Sequence, residues 1–430
     1  MRKQETGMEK KKISFEKIST RIVIILMVLF LLSVIGCAIA IKAGATGLFK
    51  MDHDIDTVVY EVSDDDNTAM RIYKGYNNGV YAAENYVDAY SKDLLLGRHR
   101  MVEAAVTYKN LIGWKIFAPG EYNSILYLDN GYMANANGKE SDESIMKIAT
   151  KIKGLKDTSE EAGAKFFYMQ TPGNVDKYGD PKINNVKDYA NYNADLLISD
   201  LKGYGIPCLD LRDNIHETFD DYHSLFFKTD HHWRQPIALW ACGELSGYLN
   251  DYYHLDFDPS IYDQDNYEIK VRKSYYLGSL GRRATLAAAT PDDFEILYPK
   301  FDTDITFLME NKGINKQGDF TITYDYEEFD YPDIYWRECY LALLSFYGTG
   351  LATVVNNEPP NDTYILIVGD SLAIPMTSLI ALNCQRCEII DPRYFEGSIK
   401  DYIKEEKPDI VISSYSTTII QDYYPIFDFD

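Results

Sequence analysis

The chain opens on polar, mostly basic residues and then turns apolar from Ile22 to Ile41, twenty residues without a charge. A helix of that length spans a hydrocarbon core of roughly 30 Å. A buried core helix is a poorer account, because the run is too long and too uniformly apolar. The pattern is lost over residues 43–65, where Asp52, Asp54, Asp56 and the run Asp64-Asp-Asp66 predict a solvated stalk. Over residues 80–112, Tyr86, Tyr90, Leu94, Leu95, Val102 and Val106 recur at helical spacing.

From about Gly113 short apolar runs and amphipathic stretches alternate. Strands are expected at Ser124–Leu128, closed by the turn Asp129-Asn-Gly131, at Lys165–Gln170 and at Ile206–Leu211. Helices are expected at Glu143–Asp157, behind a start signal at Ser141, over 187–203, and from Pro236 to Leu249 with proline in the first turn. Residues 250–360 break the rhythm. They mix strand-like pieces (Ile305–Glu310, Phe320–Tyr326) with a helical pattern near Trp336–Phe346, and are expected as an insertion or lid. The alternation resumes with strand Tyr364–Val368, helix Leu372–Leu382, strand Glu388–Ile390, helix Ser398–Glu405 and strand Asp409–Ser413. Strands alternating with helices predict an α/β fold with a mostly parallel sheet and helices on both faces. The expected organisation is a tail at 1–21, a transmembrane signal-anchor at 22–42, a stalk and helical segment at 43–112 and an α/β domain at 113–430 with its insertion at about 250–360.

Charge sets the orientation. Arg2, Lys3, Lys10, Lys11, Lys12, Lys17 and Arg21 precede the apolar run, against Glu5, Glu9 and Glu16. Positive flanks stay cytoplasmic, so the domain is expected outside the cell membrane. Two processing routes compete with an uncleaved anchor: Val34-Ile-Gly-Cys37 fits a lipobox, and Ala38-Ile-Ala40 fits a signal-peptidase site. The apolar run continues past Cys37 to Ile41, which favours the anchor. The total charge is −23, and the tail of +4 leaves −27 on the remainder. So acidic a surface argues against nucleic acid as a partner.

Tyrosine is used 36 times against 19 phenylalanines. Its flat face and polar tip suit sugar surfaces, but it is also an ordinary strand residue. Of six cysteines, Cys208 and Cys242 fall in apolar contexts as buried thiols. Cys384-Gln-Arg-Cys387 stands alone as a CxxC, compatible with a local disulfide or two free thiols.

Two segments carry candidate chemistry. Tyr364-Ile-Leu-Ile-Val-Gly-Asp-Ser371 runs an apolar strand into a Gly-Asp-Ser turn and a helix. A serine there stands beyond the carboxyl end of a strand, where open α/β sheets bind ligands. It is equally a plausible helix cap. Asp230-His231-His232 offers the other parts. If the segment is extended, Asp230 and His232 point the same way and His231 the opposite way. Asp230 would then orient His232, whose second nitrogen would take a proton from Ser371. Trp233 would wall the site. A metal reading uses His216, His223, His231 and His232 with Asp230 or Asp221, but the spacings fit no zinc signature; no metal is expected.

Thr229-Asp-His-His-Trp233 followed by Pro236-Ile-Ala238 resembles the DHHW family of bacterial membrane-anchored proteins. It also resembles the Asp-x-His-Trp motif of the alginate O-acetyltransferase group, which is SGNH-hydrolase-like. Tyr127-Leu-Asp-Asn-Gly-Tyr132, Phe301-Asp-Thr-Asp304, Gly369-Asp-Ser371 and Asp391-Pro-Arg393 are similar to the same groups. The resemblance implies an SGNH-like three-layer α/β fold with Ser371 as nucleophile, His232 as base and Asp230 as orienter. Arg393, Trp233 and Asp370 are then expected around the substrate, and no cofactor. The implied activity is transfer of acetyl groups to an extracytoplasmic polysaccharide, with a polytopic membrane acyltransferase delivering the acyl group. The chain departs from ordinary SGNH hydrolases, which place Asp-x-x-His after the serine; here no histidine follows residue 254. Their asparagine-containing oxyanion motif is not identifiable either. A carbohydrate or lipid esterase with the same triad, and a non-catalytic glycan-binding or assembly protein, are the alternative readings.

Overall fold

The computed structural model describes residues 125–430 except 129, 180–181, 184–185 and 422–424, and four positions before them (103, 107, 108 and 111), which are helical. The expected tail, transmembrane segment and stalk lie outside the described residues, as does all but those four positions of the helix expected over 80–112. Among the described residues no helix is long and apolar enough to cross a membrane.

Strands β1 (Ile125–Tyr127) and β2 (Met133–Asn135) pair antiparallel. Gly131 in the connecting turn has φ +85°, a conformation that costs glycine little. Helix α1 (Asp142–Glu161) starts at Ser141, whose hydroxyl accepts the Ser144 N–H, and buries Ile145, Ile148, Ile152 and Leu155. Strand β3 (Lys165–Thr171) is buried along all but its first residue. A small pair follows, β4 (Lys182–Ile183) and β5 (Val186–Lys187). Next come α2 (Ala190–Gly203), β6 (Cys208–Asp210), α3 (Leu211–Thr218) and α4 (Gln235–Tyr253), the last with proline in its first turn.

The stretch expected as an insertion is more regular than its sequence suggests. Strands β7 (Tyr267–Tyr276) and β8 (Asp292–Pro299) form an antiparallel pair, with the short helix α5 (Ser279–Ala284) between them. Strands β9 (Ile305–Met309) and β10 (Ile314–Gly318) follow. The strand expected at Phe320–Tyr326 is instead a 3-10 turn at Phe320–Thr323 and a helical turn, α6 (Tyr326–Phe329). Asp319 and Asp325 cap these turns by accepting the N–H groups of Thr321 and Glu328, an alternative to strand pairing. The helical pattern near Trp336–Phe346 yields only a 3-10 turn, Leu341–Leu343, and the positive φ of Ser345 ends it.

The rest follows the expected order: β11 (Leu351–Asn356), β12 (Tyr364–Gly369), α7 (Ile374–Ala381), β13 (Arg386–Ile390), α8 (Ile399–Glu406) and β14 (Ile410–Ser416). One eight-stranded sheet has the order β10-β9-β11-β13-β12-β14-β3-β6. From β13 to β6 the neighbours are parallel; β11, β9 and β10 extend it antiparallel. Residues 250–360 therefore supply three strands of the central sheet rather than only a lid upon it.

Alternate side chains of β12 feed two cores. Ile365 and Ile367 pack with Ile237 and Leu245 of α4 and Met376 and Leu379 of α7. Leu366 and Val368 pack with Ile148 and Ile152 of α1, Leu197 of α2 and Ile403 of α8. Helices thus cover both faces of the parallel half, and the carboxyl ends of β12, β14 and β3 open together at one edge. Cys384 and Cys387 are buried free thiols, as are Cys242 and Cys339.

Candidate active site

Ser371 stands two residues beyond β12, at the start of the 3-10 turn Ser371–Ala373 that leads into α7. Gly369 allows the turn: a Cβ there would lie 2.3 Å from the Ser414 carbonyl oxygen of β14. Asp370 holds it. One carboxylate oxygen accepts the Leu372 N–H at 3.0 Å, and the other accepts the Ser416 N–H at 2.7 Å. Burial raises its carboxyl, and the bonds from Ser416 and Leu372 act the other way. Both oxygens being engaged by backbone, Asp370 fixes the turn between β12 and β14 instead of reaching outward.

The Asp230 segment is a bend, not an extended strand. Phe226 bridges to Trp233, and the Phe227 N–H donates to the His232 carbonyl at 3.2 Å, closing a loop around residues 228–231. Both imidazoles therefore stand beside Asp230, where alternation along a strand would have sent His231 away. The loop is anchored from below. Asp292 accepts the Lys228 and Thr229 N–H groups, each at 2.9 Å, and the Thr229 hydroxyl at 2.7 Å. Trp233 is fully buried, and its indole N–H donates to the Leu372 carbonyl at 3.2 Å, which ties the loop to the turn carrying Ser371.

His232 Nε2 lies 2.7 Å from Ser371 Oγ. Its Nδ1 lies 3.0 Å from Asp230 Oδ1, in hydrogen-bond reach but off the straight line a full bond takes. His231 Nδ1 is 2.9 Å from the same oxygen. The Asp230 carboxylate is 1% exposed and accepts the Tyr276 hydroxyl at 2.5 Å, the Ser279 N–H at 2.9 Å, the Ser279 hydroxyl at 3.2 Å and the His231 N–H at 2.7 Å. The Tyr340 ring stacks on His232, centroids 3.9 Å apart and 17° from parallel.

The charges follow from this packing. Burial pulls the Asp230 carboxyl up, but the two imidazoles outweigh it and hold the group well below the usual carboxylate range. Burial, and then the neighbouring His231, push His232 down to about 4 against the opposing pull of Asp230. His231 is raised, because Asp230 outweighs its burial. At neutral pH the site therefore holds a carboxylate and a neutral His232, the state in which an imidazole can accept a hydroxyl proton.

Arg393 follows β13, on the strand next to β12, and makes a forked pair with Asp391, Nε at 3.0 Å and Nη2 at 2.6 Å. Its charge acts on His231, His232 and Asp370. Ligating atoms of Asp230, His231 and His232 lie within 4.8 Å of one another, a donor set that could take a divalent cation. They are the same atoms that already pair with each other. His216 instead pairs with Asp176 at 2.8 Å and stacks on Tyr222. Tyr276, Ser279, Asp292 and Tyr340 were not singled out in the sequence. They come from separate turns and strands, and no local spacing marks them.

No family model matches the sequence, and neither does any curated protein. Solved structures do match. PatB1 of Bacillus cereus aligns with a TM-score of 0.58 and 17% identity over 71% of this chain and 99% of that one. The same protein with a sulfonyl adduct aligns at 0.57 and 16% over the same shares. A DHHW family protein from Eubacterium siraeum aligns at 0.54 and 14% over 71% of this chain and 93% of that one. The chain thus has the fold of these proteins, and the resemblance to the DHHW group read from residues 229–233 extends to the arrangement of the sheet and helices.

Proposed function

We propose that the protein is an extracytoplasmic O-acyltransferase, acting with acetyl groups on a cell-surface or secreted polysaccharide through Ser371, His232 and Asp230. The observation that carries this reading is the 2.7 Å contact between His232 Nε2 and Ser371 Oγ, with Nδ1 of the same ring against the buried Asp230 carboxylate. The likeness in fold to a DHHW family protein agrees with the resemblance from which the acyl-transfer reading starts.

In the first half-reaction Ser371 Oγ gives its proton to His232 Nε2 and attacks the acyl carbonyl carbon. The bond from that carbon to the donor oxygen breaks, and the donor oxygen leaves with the proton from His232. In the second, a sugar hydroxyl gives its proton to His232 and attacks the acyl-Ser371 carbonyl. Ser371 Oγ leaves and is reprotonated by His232. Asp230 holds the imidazole and balances the imidazolium charge. Arg393 lies close enough to act on charge in the site. The apolar run at 22–41 as a membrane anchor, the outward placement of the domain and a polytopic acyl-delivering partner belong to the same proposal.

Water in place of the sugar hydroxyl would make the protein an esterase, a reading favoured by the partial exposure of Ser371. The test uses the full-length protein with a chromogenic acetyl ester and with a sulfonyl fluoride, followed by peptide mapping. An adduct on Ser371 that disappears in His232→Ala supports the proposed roles, and turnover stimulated by oligosaccharide supports transfer over hydrolysis. Full acyl transfer by Ser371→Ala would end the proposal.

A further inference from the structure

The helices α1, α2 and α8 cover one face of the sheet, with α1 packed over β3 and β14. Beside them the same sheet face continues along β13, β11 and β9 and opens into a groove of about 610 Å³. Its floor alternates along two strands, Leu351, Thr353 and Val355 of β11 beside Arg386 and Glu388 of β13.

The floor is rigidly organised. Glu388 is fully buried, and its carboxylate accepts the Thr353 hydroxyl at 2.5 Å, the Tyr364 hydroxyl, the Tyr402 hydroxyl at 2.8 Å and the Arg386 guanidinium at 2.6 Å. The same guanidinium reaches Glu406 at 2.9 Å, so the single cation of the lining is neutralised. The rim is aromatic. Tyr394 is 54% exposed, Phe395 is half-buried, and the Tyr402 ring meets Phe395 edge-on, centroids 5.5 Å apart. Glu310 and Glu396 add exposed carboxylates.

One rim of the groove is joined along the chain to the candidate active site. Tyr394, Phe395 and Glu396 follow directly on Arg393, whose charge acts on His231 and His232. This turn is pinned against Gly350, where a Cβ would fall 2.2 Å from the Phe395 Cα.

We propose that this groove binds the acceptor glycan, as an extended oligosaccharide of neutral or amine-bearing sugars, with Tyr394 as its stacking platform. The inference rests on the acyl-transfer reading for the word acceptor, but not for the binding. An aromatic face on the rim takes the apolar face of a sugar ring, while carboxylates and the Asn311 side chain in the lining accept from its hydroxyls. Of the four carboxylates in the lining, Glu388 and Glu406 pair with Arg386, and Glu310 and Glu396 are left exposed on the surface. Such a surface repels a uronate or phosphate polymer and attracts an ammonium group.

The test is binding of three hexasaccharides to the full-length protein by calorimetry: a cello-hexaose, a chitosan hexamer and an oligogalacturonate. Wild type and Ser371→Ala are expected to bind the first two alike, the chitosan hexamer more tightly and with a stronger salt dependence. Tyr394→Ala is expected to weaken both by about tenfold or more, and Glu396→Lys to weaken the chitosan hexamer selectively. Tighter binding of the oligogalacturonate, no binding of any hexamer by wild type, or unchanged affinity in Tyr394→Ala overturns the proposal. Binding by Ser371→Ala is independent of chemistry, so a failed acyl-enzyme experiment and a failed groove are told apart.

Discussion

His231 and His232 stand on one oxygen: their Nδ1 atoms lie 2.9 and 3.0 Å from Asp230 Oδ1, and their ring centroids are 3.9 Å apart. One carboxylate therefore serves two imidazoles, and the two bases do not share its effect evenly. Asp230 raises His231, while His231 in turn depresses His232. His231 is thus a positioning residue that helps keep the base of the proposed triad neutral.

A pH profile follows. His232 is depressed to about 4, so its neutral form, the form that would accept the Ser371 proton in the proposed triad, persists until the pH falls through that value. Acyl-ester turnover should hold level from neutral pH down to about 5 and fall below it, whereas an unperturbed histidine would lose it near 6.5. In His231→Gln the neighbouring charge is gone and Asp230 is left to His232, so the acid limb should move to higher pH. A limb that stays in place would show that His231 does not act on His232.

Asp230→Asn is expected to remove activity without emptying the site. The carboxylate accepts from Tyr276, Ser279 and the His231 backbone as well as facing both imidazoles. A carboxamide must turn an NH2 toward one of those donors. The loss should be about 10,000-fold in turnover, the scale for an imidazole held in the wrong tautomer, with about 1–3 kcal/mol of stability lost to the mismatched donors. Chromogenic ester turnover and chemical denaturation measure the two effects separately.

Tyr276→Phe separates support from chemistry. It deletes one hydroxyl donor to Asp230 Oδ2 and leaves the Ser279 N–H in place. A bond to a buried carboxylate contributes roughly 1.5–3 kcal/mol, so denaturation should show a loss of that size. Turnover should fall much less than in Asp230→Asn, because the tautomer of His232 is unchanged. A stability equal to wild type would mean that the hydroxyl does not bear on Asp230.

The parallel half of the sheet was legible because its strands are short apolar runs separated by amphipathic helices, and β3, β12 and β14 match expectation within a few residues. Ser371, His232 and Asp230 were legible because each lies in a compact motif. In the antiparallel half only β9, expected at Ile305–Glu310 and observed at Ile305–Met309, was legible. Strand β10, and β7 of the separate β7–β8 pair, are largely exposed, so their sequences carry little of the alternation that marks a half-buried strand. The position of His231 failed for a different reason. The alternation argument assumes an extended backbone, and the Phe226–Trp233 bridge bends the segment instead. Tyr276 and Asp292 lie 46 and 63 positions from the residues they support, a distance across which one sequence shows no pattern.

Gly278→Ala tests how tightly the support is built. Gly278 has φ −68°, a conformation alanine adopts freely, so strain in the backbone is not the issue. The space is. A Cβ at that position would lie 2.4 Å from Asp230 Cβ, 2.5 Å from Asp230 Oδ2 and 2.6 Å from the Thr229 carbonyl. The Gly278 N–H also donates to the Thr229 hydroxyl at 2.9 Å, so the glycine cannot back away without breaking that bond. Either α5 moves outward, taking the Ser279 N–H from Asp230, or the Asp230 loop shifts toward Ser371. Both routes should cost about 1–3 kcal/mol or more of stability, the scale of overpacking. Both should also lower ester turnover by more than the stability loss explains. Gly247, on α4 with open space around it, is the control: Gly247→Ala should leave turnover unchanged and stability equal or slightly higher. Equal stability and turnover in Gly278→Ala and wild type would show that the Thr229–Asp230 loop yields freely, and that its support by Tyr276 and Ser279 does not set the geometry of His232.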